Sequence, residues 1–544
     1  PLSQAGLHGP LLELEGLVEE YAEADGLDKR RLRLLEDEII ARAWQSGLAA
    51  DCGLDRTMSG REAIAQLDAQ LCDIKDLAVR DRLHVFGQRP DAAAAGLLTD
   101  AIMAAAGQAG GTVDRLDIAC RIDASAAAEG RALLAALDGR RVAAGPAGAP
   151  SRGRLDVLPT GRNLTAIDPR AIPTRTAALV GVRAADEVIR RYLQDYGEYP
   201  RSLVLDLWAS ASLRTGGDDL AQALAYLGVR SRWDLNSNRV TGVDVLPLAM
   251  LDRPRIDATL RVSGLFRDLF EAQIALFDLA VQKVASLDED DADNPLAAAQ
   301  RRGESLARVF GGAPGSYGAV AADLALGMTW ESRSQLGEAY LDGTGYSFGG
   351  AHDGVAAAET FRARVRSADA LVHAQDDRER DLLDGEEVAD FAGGFAAAAE
   401  VLGASPALLH LDTSRPEAPK ARSFSEEIAR VVRGRLTNPR WISGMLAHGY
   451  RGVAEIAQGI DALYAFAATS NTVPEHLFDL AHGALLCDEA VLDGMVARNP
   501  AAVAAIVSRF EDALRRQLWV PRRNAVADEL AVARARLTQT ERVS

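Results

Sequence analysis

Lysine is nearly missing from this chain. Of its 60 basic residues only Lys29, Lys75, Lys283 and Lys420 are lysine. A phosphate-cradling P-loop needs Gly-Lys followed by Ser or Thr. These four lysines precede Arg30, Asp76, Val284 and Ala421 instead. The sequence therefore contains no P-loop, and any ATP-driven step falls to another chain. Cysteine is scarce too. Cys52, Cys72, Cys120 and Cys487 are too few and too scattered for a disulfide framework or a zinc knuckle. They are expected to be reduced, mostly buried thiols in a cytoplasmic protein. No apolar run approaches the ~20 residues of a membrane span, and the acidic N-terminal stretch carries no signal-peptide pattern. A basic surface is also lacking: the formal net charge is −18, which argues against nucleic acid as a partner. The eight histidines show no HExxH or zinc-finger spacing, and no solenoid repeat is found.

What is present is a chain of 544 residues, 48% hydrophobic and 25% charged, as expected of a large globular enzyme with several domains. The expected fold class is α/β and helix-rich, a mixed α/β central region flanked by mainly helical regions. Residues 1–90 read as helical, with stripes Leu12, Leu14, Leu17, Val18 and Leu32, Leu34, Leu35, Ile39, Ile40. Residues 91–150 read as a variable, alanine- and glycine-rich connector ending in Gly145-Pro146-Ala147-Gly148-Ala149-Pro150. Residues 151–300 form an α/β region with arginine and glycine-loop clusters, and 301–544 a helix-rich C-terminal region.

The most informative stretch is Leu213-Arg214-Thr215-Gly216-Gly217-Asp218-Asp219, which runs into Leu220, Leu224 and Leu227 at helical spacing. Thr215 and Asp218 fit a capping box, and a well-capped surface helix would account for them. The strand-like run Leu203 to Trp208 feeds this loop, however, and strand, polar glycine loop and helix is how α/β proteins present ligand-binding groups. Asp257, Thr259 and Arg261 alternate with Ile256, Ala258, Leu260 and Val262, so they share one face of a strand. Ser263-Gly264 then leads to Phe266-Arg267-Asp268 and a helix burying Ile274, Phe277, Val281 and Val284. Gln375-Asp376-Asp377-Arg378-Glu379 follows the apolar Ala370-Leu371-Val372 at an expected strand end, with a solvated charge run as the alternative. His84 and His448 each stand near a glycine and fit helix caps.

Taken in order, these segments resemble the aerobic cobaltochelatase large subunits of the CobN type and their magnesium chelatase relatives. The resemblance is carried by Ala5-Gly6-Leu7-His8-Gly9, Ile74-Lys75-Asp76, His84-Val85-Phe86-Gly87 and Leu158-Pro159-Thr160-Gly161-Arg162-Asn163. It continues through Leu207-Trp208, Arg214 to Asp219, Arg253-Pro254-Arg255-Ile256-Asp257, Phe266-Arg267-Asp268 and Gln375-Asp376 with Arg378-Glu379. Ser414-Arg415-Pro416-Glu417 and His448-Gly449-Tyr450 complete it. The Arg-Thr-Gly-Gly-Asp-Asp form favours the cobalt branch. Family members are longer, with a His-Gly-Thr-x-Glu-Trp-Leu-Pro-Gly motif upstream, so the chain resembles a C-terminal half, as a fragment or a split-gene product.

The resemblance implies ATP-dependent insertion of Co²⁺ into hydrogenobyrinic acid a,c-diamide, a corrin, in cobalamin biosynthesis. ATP and Mg²⁺ would be handled by an AAA+ motor complex of two smaller subunits, and the missing N-terminal half would be a further partner. Imidazole and carboxylate suit a transient Co²⁺ site and the removal of ring N–H protons. His84, His448 and Glu379 are therefore the catalytic candidates, and His448, His84 and Asp257 the metal candidates. Arg162, Asn163, Arg214, Asp218, Asp219, Arg255, Arg261, Arg267, Gln375 and Arg378 are the ring-binding candidates, the arginines because a guanidinium grips a carboxylate with two parallel bonds. A magnesium or nickel chelatase subunit, or a non-catalytic tetrapyrrole-binding scaffold, stays open as an alternative.

Overall fold

The computed structural model describes residues 2–24, 29–108, 114–146, 148, 150, 154–165, 167–318, 320–350 and 352–541. Parts of the expected connector (109–113, 147, 149) lie outside the described residues. Most of the rest of that segment is helical rather than loose: Ala92–Gln108 and Arg115–Leu137 are both helices, and Ala144–Pro146 is a short strand. Alanine-rich composition, read as low complexity, also has the highest helix propensity.

Two compact, discontinuous units replace the four consecutive segments expected. One comprises Pro1–Leu83, Glu379–Glu386 and Phe424–Ser544, and the other His84–Arg378 with Glu387–Ser423. The first unit is helical. Helices Pro10–Ala24, Lys29–Ser46 and Gly60–Lys75 bury Leu14, Ile39, Leu67 and Ile74. Ser59 and Glu62 form a reciprocal capping box at the start of the third. The buried stripe of the first helix is Leu11, Leu14, Val18 and Tyr21, whereas Leu12 and Leu34, assigned to the apolar stripes, face solvent. Of the four cysteines, only Cys52 is fully buried; Cys72 and Cys120 sit on the outer faces of their helices. No helix among the described residues is long and apolar enough to cross a membrane.

The second unit is built on an eight-stranded sheet: β1 Ser202–Leu207, β2 Asp257–Val262, β3 Val309–Gly311, β4 Tyr346–Gly349, β5 His352–Ala356, β6 Ala370–Gln375, β7 Ala407–Asp412 and β8 Lys420–Ser423. Their spatial order is β5-β4-β3-β2-β1-β6-β7-β8. The five central strands, β3 to β7 across β1, are parallel, and the flanking pairs are antiparallel. Six of the eight strands lie beyond Asn294, where a mostly helical region was expected. Strands covered on both faces read as short apolar runs without alternation, and Ala370-Leu371-Val372 is one such run.

On one face Leu203, Leu205, Leu207, Ala258, Leu260 and Val262 join a core with Val188, Leu224, Phe277 and Val281. These last four come from helices Arg175–Tyr196, Asp218–Tyr226 and Glu271–Ala285. Gly181 lets the first two of these helices meet: a Cβ there would lie 2.5 Å from the Gln222 amide nitrogen. Gly181→Val should therefore overpack this contact and cost at least about 1–3 kcal/mol, read as a lower urea midpoint. It should also displace the helix that carries Asp218 and Asp219.

Chain order across the sheet reverses between β1 and β6. β1, β2 and β3 step one way, and β6 and β7 the other. In open α/β sheets, ligands bind outside the carboxyl ends of the strands at such a switch point.

Candidate active site at the strand reversal

The loop after β1 is more ordered than a glycine hinge. Trp208 caps a short helix, Ala209–Thr215, and a second helix starts at Asp218. Between them Gly216 and Gly217 have φ of 79° and 95°, left-handed values that favour glycine. Thr215 Oγ1 accepts from the amides of Gly217 and Asp218, both at 3.1 Å. The cap therefore differs from the expected box: helical geometry begins only at Asp218, with Gly217 at the cap position.

This geometry delivers the charged groups to one place. Arg214 grips Asp376, beyond the end of β6, with two hydrogen bonds: Nε to Oδ2 at 2.9 Å and Nη2 to Oδ1 at 2.6 Å. Asp377 lies 3.8 Å from the same guanidinium. Asp218 and Asp219 are buried alongside. Burial pushes the Asp219 carboxyl up to about 7, and the carboxylates of Asp376 and Asp206 push the same way; its own backbone N–H and Arg214 oppose them.

Below this edge a row of polar residues crosses the opposite face of the sheet. Arg261 pairs in register with Asp206, His373 with His410, and His410 with Arg422. The pairing of Leu205 with Val372 puts His373 beside Asp206. His373 Nδ1 lies 2.6 Å from Asp206 Oδ2, which also accepts from Trp208 Nε1 at 3.0 Å. His410 Nε2 is 3.2 Å from Gln375 Oε1. The Arg261 guanidinium lies 3.5 Å over the Phe391 ring, and Phe391 packs against Trp208 at 4.1 Å. Phe391 belongs to a π-helical turn, Ala389–Gly393, an irregularity frequent at functional sites. Asp206 Oδ1 and Arg261 Nε are buried without hydrogen-bond partners. Such groups call for an explanation, and a polar ligand at this edge would be one.

Of the residues singled out in the sequence, Arg214, Asp218, Asp219 and Gln375 are brought together here, with Arg261 in the row beneath. Arg267 is close in the topology, after β2. It holds the loop after β3, donating to the carbonyls of Gly312, Ala313 and Ser316. Arg378 directly follows the Asp376-Asp377 pair.

Others are placed elsewhere. Arg255 and Asp257 lie at the amino ends of the strands. Arg255 is buried and spends all five donors on Glu289, Leu227, Gly228 and Leu246, leaving none for a ring carboxylate. Asp257 is paired with Arg308 and Arg364, both at 2.8 Å. Burial would raise its pKa, but the two guanidiniums more than offset this and hold it below the usual carboxylate range. A carboxylate so occupied is a structural anion rather than a metal ligand.

His84 is not at a helix end. It stands in a loop, largely exposed, with Nε2 3.3 Å from Oε1 of buried Glu129. Thr160 Oγ1 donates to the same carboxylate at 2.5 Å and the Gly87 amide at 2.8 Å. Two sequence motifs, His84 to Gly87 and Leu158 to Asn163, thus meet on Glu129. Arg162 is spent on the Asp156 and Leu158 carbonyls, and Asn163 pairs with Ala144 in a short parallel bridge.

His448 and Glu379 fall in the helical unit. His448 joins helices Pro439–Ala447 and Gly449–Thr469, as its cap-like sequence suggested. Its Nε2 accepts from the Leu83 amide at 3.1 Å. Burial, then the positive charge of Arg82, push its pKa below the usual histidine value. With Nε2 accepting from that amide, a neutral ring carries its proton on Nδ1. Glu379 opens the segment in which Asp381 pairs with Arg435 at 2.6 Å. The same unit contains a cavity of about 610 Å³ lined by His8, Glu13, Arg42 and His476. Its wall is tied together by Asp51, which holds Arg433 at 2.5 Å and His476 at 2.7 Å.

Asp206, His373, His410 and Glu129 were not singled out in the sequence. The available signal was two strand-like runs ending alike, His373-Ala374-Gln375-Asp376 and His410-Leu411-Asp412.

A model of the CobN/Magnesium Chelatase family matches residues 1–116 and 111–526 of this chain. The aerobic cobaltochelatase subunit CobN of Sinorhizobium sp is 42% identical, over 98% of this chain and 51% of that protein. The subunit of the same name from Pseudomonas aeruginosa is 40% identical, over 95% and 50%. The solved structure of the catalytic subunit of cobaltochelatase from Mycobacterium tuberculosis superposes with a TM-score of 0.91 at 32% identity, covering 99% of this chain and 52% of that one. The chain thus spans about half the length of the curated relatives it matches. With this coverage and identity, the chain belongs to the CobN/magnesium chelatase family.

Proposed function

We propose that this chain forms the ring- and metal-handling portion of a cobaltochelatase large subunit, inserting Co²⁺ into hydrogenobyrinic acid a,c-diamide in cobalamin biosynthesis. The observation that carries this reading is the strand reversal, where Asp219, raised to about 7, sits with Arg214, Asp376 and the Asp206–His373 pair. Metal insertion must remove protons from ring nitrogens, and a base half-protonated near neutrality suits that transfer. Asp219 takes the proton in this scheme. The Asp206 carboxylate orients His373, which passes the proton away from the metal. Arg214, whose Nε and Nη2 hold Asp376, orients the ring through its peripheral carboxylates. Identity of 40–42% to CobN subunits, against 35% to a plant magnesium-chelatase subunit over 71% of the chain, supports cobalt as the substrate metal.

ATP hydrolysis is assigned to a motor complex of two smaller AAA+ subunits, since no lysine here has P-loop context. The isolated chain should show no stoichiometric binding of labelled nucleotide at micromolar concentration; such binding would overturn that division. The activity itself is tested by cobalt incorporation into the corrin, with the motor subunits, ATP and the portion present in the longer relatives supplied in trans. Turnover is expected only with all parts present, and failure of the chain to bind the corrin under those conditions would reject the proposal.

A further inference from the structure

The helical unit contains a second constellation, remote in sequence from the groups at the strand reversal. His482 ends helix Glu475–His482, Cys487 ends the π-helical turn Gly483–Cys487, and Glu529 lies in the first turn of helix Val526–Glu541. One donor atom from each converges: His482 Nδ1 to Cys487 Sγ is 3.4 Å, Cys487 Sγ to Glu529 Oε2 is 3.4 Å, and His482 Nδ1 to Glu529 Oε2 is 3.7 Å. For tetrahedral bonds of about 2.0–2.3 Å to nitrogen, oxygen and sulfur, the edges between donors come to roughly 3.3–3.6 Å. The observed triangle is close to one face of such a tetrahedron, and an ion above it would meet all three donors at bonding distance.

Two further observations point the same way. His482 is buried between Phe510, 5.6 Å away edge-on, and Trp519 at 5.5 Å. Its Nε2 makes no hydrogen bond among the described residues, and its Nδ1 is turned to the other two members of the triangle. Arg523 Nη2 lies 3.2 Å from the sulfur and 2.9 Å from the carboxylate. Arg523 thus sets a cation against the two acidic members of the triangle, on a side chain 54% exposed and able to turn into solvent.

We infer that His482, Cys487 and Glu529 form a binding site for one divalent transition-metal ion, Co²⁺ or Zn²⁺, that discriminates against Mg²⁺. Thiolate and imidazole are donors for these borderline ions, whereas Mg²⁺ demands an octahedral oxygen shell. On binding, the Cys487 S–H bond breaks, the sulfur bonds the metal, and the proton leaves to solvent; no electron is transferred. A fourth position remains for water.

The test uses the full chain, stripped with chelator and kept reduced. Titration with Co²⁺ should produce a thiolate-to-cobalt charge-transfer band that saturates at one equivalent, with release of about one proton per ion. Cys487→Ser should abolish the band, while a Cys72→Ser, Cys120→Ser double variant should keep it. Glu529→Gln, at a half-exposed position that does not threaten folding, should weaken Co²⁺ affinity about ten-fold or more. Excess Mg²⁺ should leave the band intact. Displacement by equimolar Zn²⁺ assigns the site to zinc, and retention of cobalt assigns it to cobalt. Absence of the band, its survival in Cys487→Ser, unchanged affinity in Glu529→Gln, or its loss to Mg²⁺ would overturn the site.

Discussion

Asp219→Asn is expected to make the protein more stable above neutral pH and to remove most of the proposed cobalt insertion. The two effects share one cause. Burial holds the Asp219 carboxyl protonated up to about 7, against an ordinary value of 3.8. Between these values the unfolded chain has released the proton and the folded chain retains it, so stability falls as pH rises through that window. Above about 7 the folded protein holds a buried carboxylate, at a cost of about 4 kcal/mol for a shift of this size. Asparagine carries no such charge, so the variant should gain stability at pH 8 relative to the parent and show a flatter pH dependence from 4 to 7. Urea denaturation across pH measures this. Turnover should fall by about 10²–10⁴-fold, the usual share of general acid–base catalysis, and lose its dependence on a group titrating near neutrality. A variant with parental turnover and an unaltered pH–stability curve would remove Asp219 from the chemistry.

Arg214→Ala should produce the largest loss of stability. Its partner Asp376 is buried, and removing one member of a buried ion pair typically costs about 3–5 kcal/mol. Arg214 also opposes the upward shift of Asp219, so that carboxyl should move above about 7 in the variant, shifting the pH–rate profile to higher pH. Arg214→Lys should recover part of the stability, since an ammonium supplies charge without the fork. The double variant Arg214→Met, Asp376→Leu separates structure from function. Apolar replacement of a whole buried pair is often neutral or stabilising, so folding should recover while corrin affinity stays weakened by about 1.5–3 kcal/mol, the range for a hydrogen bond to a charged group. Fluorescence quenching by the ring measures that affinity. Full recovery of ring binding in the double variant would leave Arg214 a structural role alone.

Much of the local geometry at this site was legible beforehand. Leu203 to Trp208 read as a strand leading toward a helix, and Leu203 to Leu207 are strand, although the expected polar loop begins as a short helix, Ala209–Thr215. Asp257, Thr259 and Arg261 were expected on one face, and register confirms the face. Yet that alternation does not say what lies opposite a residue. Arg255 and Asp257 share a motif with the ring-clamp candidates, but they sit at the amino ends of the strands, where Glu289, Arg308 and Arg364 consume them. Asp206 and His373 are 167 residues apart, and neither position stands out in its own segment.

The sequence by itself determined the periodicities, the turn chemistry and the absence of a P-loop, because these depend on residues within a few positions of one another. It was also enough to place the chain in its family, since its motifs recur in fixed order along the whole length. Only the tertiary structure decided which polar residues were brought together at the strand reversal. Strand order is set by how the crossover helices bury both faces of the sheet, and that order made neighbours of β1 and β6. A carboxyl becomes a base near neutrality only when other elements exclude water from it. Asp219 and Asp218 are adjacent in sequence and chemically identical; for Asp219, what raises the carboxyl is burial and the charges that β1 and β6 bring to it.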